Sequence, residues 1–117
     1  MRKNETTYSS LRAAEAKVES TFYANLSQKT LLLIYQIADG ELGNPVSISS
    51  IKTRMSINLE ALAKILDILL TQNNIEIKVV GGKKQEELSE DDLQIFLTND
   101  GKAIAKSTIY SIQGLGL

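Results

Sequence analysis

The sequence predicts a single, mainly α-helical domain carrying a small β-hairpin, and three observations predict it. Apolar residues recur at three- and four-residue steps through most of the chain, the spacing of helices with one buried face. Two short segments, 75–79 and 93–97, depart from that period and flank Gly81-Gly82, as the arms of a hairpin do. At 117 residues, the chain has the ordinary size of one domain with one core.

Composition narrows the chemistry. Hydrophobic residues make up 43% and aromatics only 5%, so the core is aliphatic. There is no Cys and no His, which excludes disulfides, the usual zinc sites, nucleophilic triads and histidine proton shuttles. Carboxylate pairs such as Glu86 and Glu90 lie in a polar stretch where nothing raises a pKa or holds a working separation. The expectation is a non-enzymatic protein with no metal and no cofactor. The longest apolar run, Leu31 to Tyr35, is far short of the roughly 20 residues that span a bilayer. Met1-Arg2-Lys3 is followed by Asn4-Glu5-Thr6-Thr7 rather than by an apolar stretch, unlike a signal peptide. A soluble cytoplasmic protein with no membrane partner is expected.

The net charge of −1 is unevenly spread. Residues 1–54 carry seven basic against five acidic side chains, and residues 55–117 carry six against nine. Most of the acidity lies between Glu86 and Asp92, so charge alone gives no argument for nucleic acid.

Along the chain, Tyr8, Leu11, Ala14, Val18 and Phe22 form the stripe of an amphipathic helix over about 8–26, with Arg12, Glu15 and Glu19 opposite. Asn25 is expected to end it and Ser27 to cap the next helix, about 28–38, which is apolar on nearly every side and closes at Asp39-Gly40. Glu41 to Pro45 reads as a loop, and Val46-Ser47-Ile48 as a minor strand. Ser49 is the expected cap of a short helix over 50–55, with Ile51 and Met55 facing inward. After Ser56-Ile57, Asn58 caps a helix over 59–72 whose stripe is Leu59, Leu62, Ile65, Leu66, Leu69 and Leu70. Ile75 to Val79 alternates as a strand does; Lys83 to Asp92 is a polar tip, and Leu93 to Leu97 resumes as the return strand, with Ser89 to Asp92 open to capping a short helix instead. A last helix over 102–112 turns Ile104, Ala105, Thr108, Ile109 and Ile112 to one side. This divides the chain into an N-terminal helix for packing or dimerisation (1–26), a main domain (27–112) and a flexible tail (113–117).

The order of elements from Val46 to Gly101 resembles the winged helix-turn-helix family of prokaryotic transcriptional regulators. Ser49-Ser50-Ile51-Lys52-Thr53-Arg54-Met55 looks like the first helix of the motif and Met55-Ser56-Ile57-Asn58 like its turn. Leu62 to Ile75 looks like the recognition helix running into a strand, and Leu97-Thr98-Asn99-Asp100-Gly101 resembles the leucine-threonine-x-x-glycine lead-in to the helix after the wing. The resemblance implies a winged helix-turn-helix with extra N- and C-terminal helices. It implies double-stranded DNA as partner, the major groove being read by helix 59–72 and phosphates being met by the wing.

On that resemblance the DNA-binding set is Lys52, Thr53, Arg54, Ser56, Asn58, Glu60, Ala61 and Lys64, with Lys83 and Lys84 at the wing. The implied homodimer would use Tyr8, Leu11, Val18 and Phe22 together with Ile104, Ile109 and Ile112. A second expectation stands beside it: near-neutral charge, the acidic loop and the lightly charged recognition helix also suit a winged-helix adaptor that binds a protein partner and no nucleic acid.

Overall fold

The computed structural model describes residues 2–81 and 89–115. Helix α1 (Arg2–Ile37) leads to strand β1 (Val46–Ser47), helices α2 (Ile48–Met55) and α3 (Leu59–Thr71), strand β2 (Ile75–Val79), a 3₁₀ turn (Glu90–Asp92), strand β3 (Leu93–Leu97) and helix α4 (Asn99–Leu115). The fold is mainly helical with one small antiparallel sheet.

The break expected at Asn25 to Ser27 does not exist. Residues 2–37 form one helix, because no Gly or Pro interrupts them and the hydroxyls serve the helix itself. Ser27 Oγ donates to the Ala24 carbonyl at 2.8 Å and Thr30 Oγ1 to that of Leu26 at 2.7 Å. Ser27 is thus a back-bonded interior residue rather than a cap. The helix stops at Asp39 and Gly40, both at positive φ (55° and 71°), and Asn44 Nδ2 satisfies the Ala38 carbonyl at 2.8 Å.

Helix α2 begins two residues earlier than expected and takes Ile48 out of the strand. Its cap is Ser47, whose Oγ accepts from the Ser50 amide at 3.1 Å, and not Ser49. The cap of α3 is Asn58 as read from sequence, with Oδ1 accepting from the Ala61 amide at 2.8 Å. Helix α4 starts three residues early, at Asn99, because the Thr98 hydroxyl accepts from the Gly101 amide at 3.0 Å. It continues past Ile112 to Leu115, so the expected tail is helical up to that point; Gly116 and Leu117 lie outside the described residues.

The minor strand expected at Val46-Ser47 joins the hairpin in one three-stranded sheet, in the order β1-β3-β2. β2 and β3 pair antiparallel from Ile75–Leu97 to Val79–Leu93, and β1 adds itself to the other edge of β3, Val46 opposite Ile95. Both readings of Ser89 to Asp92 are realised, since a single 3₁₀ turn capped by Ser89 feeds directly into β3; the Asp92 carboxylate accepts from the Ser89 amide at 2.8 Å. The rest of the hairpin tip, with Lys83, Lys84, Glu86 and Glu87, lies outside the described residues.

One aliphatic core joins these elements. Leu31 and Ile34 of α1 and Ala38 just beyond it meet Ile48 and Ile51 of α2, Leu62, Ile65, Leu66 and Leu69 of α3, and Val46, Ile75, Ile95, Leu97 and Ala105. Burying a side chain of this size is worth about 1.5–3 kcal/mol. Gly101 is required by contact: a Cβ there would collide with the Asn74 carbonyl oxygen, where the end of α3 meets the start of α4. Two members of the expected α3 stripe are not in the core. Leu59 is 46% exposed and Leu70 41%.

Candidate functional site

The turn between α2 and α3 is built by Ser56, which adopts the left-handed conformation (φ 54°, ψ 44°) and donates its amide to the Lys52 carbonyl. Asn58 then returns to extended backbone (φ −83°, ψ 168°) and caps α3. Ile51 of α2 and Leu62 of α3, on either side of this turn, are both fully buried in the one core. Thr30 Oγ1 reaches Met55 Sδ at 3.1 Å and ties the same junction to α1.

Around α3, burial follows the helical period. Leu62, Ile65, Leu66 and Leu69 face the core, while Glu60, Lys64, Asp67 and Thr71 lie on the opposite, exposed side. Ala61 is half-buried on the flank towards α1, and Leu59, Ala63 and Leu70 stand on the flank towards the hairpin. There they line an apolar groove of about 340 Å³, floored by Ile48, Leu66, Ile77 and Leu93.

Apart from the half-buried Ala61, the residues picked from sequence divide into three groups. Thr53, Arg54, Ser56, Asn58 and Glu60 are exposed around the turn and the start of α3. Arg54 has no hydrogen-bond or ion-pair partner among the described residues. Lys52 and Lys64 are engaged within the fold. Lys52 Nζ lies 3.0 and 2.9 Å from the two Glu90 oxygens, a half-buried pair that pins the 3₁₀ turn to α2. Lys64 Nζ sits 5.4 Å from the centre of the Tyr23 ring of α1, within cation–π range. Lys83 and Lys84 lie outside the described residues.

Glu90 and Tyr23 are the partners that sequence reading missed. Glu90 is 38 positions from Lys52, and no local signal pairs them. Asn58 also proves less available than its exposure suggests, because capping already occupies its amide oxygen.

Of the residues expected at a dimer seam, four are exposed within the protomer, although Phe22 meets the Tyr23 ring edge to face at 5.5 Å. Leu11 (61%), Val18 (68%) and Phe22 (56%) are exposed on α1, as is Ile104 on α4, while Ile109 is half-buried. The side chains of Tyr8 and Ile112 lie outside the described residues. Among the described residues no helix is long and apolar enough to cross a membrane, and no three carboxylates gather as a metal site.

No protein-family model matches the sequence, and no curated protein does. Solved structures do share the fold. The crystal structure of the reduced form of MarR from E. coli matches with a TM-score of 0.53 at 22% identity, over 71% of this chain and 52% of that one. Overoxidised AbfR bound to DNA matches with a TM-score of 0.52 at 17% identity, over 98% of this chain and 85% of that one. Reduced AbfR bound to DNA matches at 0.51 and 17%, over 97% and 83%. The chain thus spans about half the length of the MarR chain. The architecture is a winged helix-turn-helix.

Proposed function

We propose that the chain is a transcriptional regulator that binds double-stranded DNA as a homodimer, with α3 in the major groove and the hairpin at neighbouring phosphates. The observation that carries the reading is the unburied outer face of α3, held rigidly by the Ser56 turn and flanked by the exposed Thr53 and Arg54. That is the arrangement a helix needs to enter a groove beside a phosphate contact. AbfR, which shares the fold, is bound to DNA in its solved structures.

The dimer is supported by the projecting part of α1, where every described side chain from Ala13 to Phe22 is exposed. A solitary helical arm of about this length is marginal in water, and a second copy laid along Leu11, Val18 and Phe22, with Ile104 and Ile109, would cover its apolar residues. On this reading residues 1–26 are a dimerisation arm and 27–112 the binding unit. Val18→Asp or Phe22→Asp then converts a sedimenting dimer to a monomer, and a wild-type protein that already sediments as a monomer rejects the dimer.

The DNA reading is tested by titrating a nonspecific duplex at increasing salt. Affinity is expected to fall linearly on a log–log plot with a slope that counts phosphate contacts, and Arg54→Ala to make that slope shallower by about one contact. Absence of binding even at low salt removes the reading. One observation favours a protein partner instead. The groove beside α3 is almost wholly apolar, and Leu59, Leu70, Val79 and Val80 are exposed along its helix and hairpin. Failure to bind DNA, together with Leu70→Asp abolishing capture of a partner from the source cell, would establish the adaptor reading.

A further inference from the structure

We infer that α3 selects A·T base pairs by their thymine methyl groups, with Leu59 and Ala63 as the contacting side chains and Glu60 accepting from the adenine amino group. The inference rests on the DNA reading above and adds what the first turns of α3 distinguish along their hairpin-side flank, where Leu59 and Ala63 line the apolar groove.

The chemistry available on α3 is unusual for a reading helix. Guanine offers two acceptors in the major groove, N7 and O6, and is read by Arg or Lys donors. Helix α3 contains no Arg. Its single Lys, Lys64, has its ammonium over the Tyr23 ring. The Thr71 hydroxyl already donates to the Asp67 carbonyl at 2.8 Å. Asn58 has its amide oxygen committed to the Ala61 amide, which leaves it poorly placed to accept and donate together, as a two-bond contact to adenine requires.

What remains exposed at the start of the helix is apolar and acceptor-only. Leu59 and Ala63 occupy adjacent positions one turn apart, and Glu60 lies beside them. The N-terminal turns of a recognition helix are the part that reaches base edges. In the major groove the only apolar group is the thymine C5 methyl, and exocyclic amino donors occur on adenine and cytosine. An A·T pair alone presents a methyl and an amino donor together. Glu60 can accept from the amino group of adenine or of cytosine, so the choice between the two pairs falls to the methyl contacts of Leu59 and Ala63.

The test compares alternating d(A-T), d(A-U) and d(G-C) duplexes of equal length, by fluorescence anisotropy with the unaltered protein. Uracil differs from thymine only in lacking the methyl, and the minor groove keeps its acceptor pattern. Binding to d(A-U) is expected to be roughly fourfold weaker per methyl contact than to d(A-T), the ratio that about 0.8 kcal/mol for one buried carbon group implies. Binding to d(G-C) should be weaker again. Leu59→Ala should bring the d(A-T) to d(A-U) ratio towards one with little change in d(A-U) affinity. Equal affinity for d(A-T) and d(A-U), with a normal salt slope, overturns the inference and leaves the DNA reading intact. A ratio that survives in Leu59→Ala overturns the assignment to Leu59. No binding to any of the three duplexes at low salt overturns both.

Discussion

The two halves of α1 share one backbone and part company in everything else. From Ala13 to Phe22 every side chain is exposed, whereas Ser27, Thr30, Leu31 and Ile34 are buried against α2, α3 and the sheet. At 36 residues the helix is roughly 54 Å long, and the molecule's longest dimension is 58 Å. The C-terminal half is held by the core and extends the helix into the N-terminal half, because adding a residue to an existing helix is far cheaper than starting one. Regular secondary structure is therefore no sign that a segment has found its packing partner. The same contrast recurs across α3, where Leu62 and Ile65 are fully buried and Leu59 and Leu70 are not.

Four substitutions sharpen or break this contrast. Ile34→Ala, in the buried half, should lower the unfolding free energy by about 2–5 kcal/mol in a urea titration. A cost below about 1 kcal/mol there would show that α1 is not anchored by its second half. Gly101→Ala tests whether the anchor includes the α3–α4 junction. Its methyl would meet the Asn74 carbonyl, so a loss of about 1–3 kcal/mol is expected where an ordinary helix position would gain from alanine. Lys52→Ala removes the tie between α2 and the 3₁₀ turn; as the pair is partly solvated, thermal melts should register about 1 kcal/mol or less. Val18→Ala, in the projecting half, should fall within about 0.5 kcal/mol when measured on protein dilute enough to be monomeric. If Val18→Ala proves as costly as Ile34→Ala under those conditions, the two halves are not different and the arm packs within its own chain.

Much of the fold was legible because it is encoded locally. The 3.6-residue stripe of α3, the alternation at Ile75 to Val79 and the Asn58 cap each follow from the chemistry of neighbouring residues. Where local signals tied, the reading failed. Ser27 looks like a cap because Ser caps helices, yet in the structure its hydroxyl turns back to Ala24. Ser47 and Ser49 compete for one helix start, and the pairing of Val46 with Ile95 selects Ser47 by holding the chain extended up to that residue. The candidate site was legible as a stretch of chain, 52–64, and much less so as a set of free groups. Its two lysines are engaged by partners far away in sequence, Glu90 and Tyr23.

By itself the sequence determined which segments are helical or extended, the order in which they follow, and a core built of Leu, Ile and Val. Periodicity, caps and turns act over a few residues and leave their mark in the chain. Only the tertiary structure decided which cations stay free, which apolar residues of α3 remain outside the core, and that the α1 side chains from Ala13 to Phe22 are left exposed. Those outcomes depend on distances between residues tens of positions apart, and the energy of a contact is set by what the fold brings within reach.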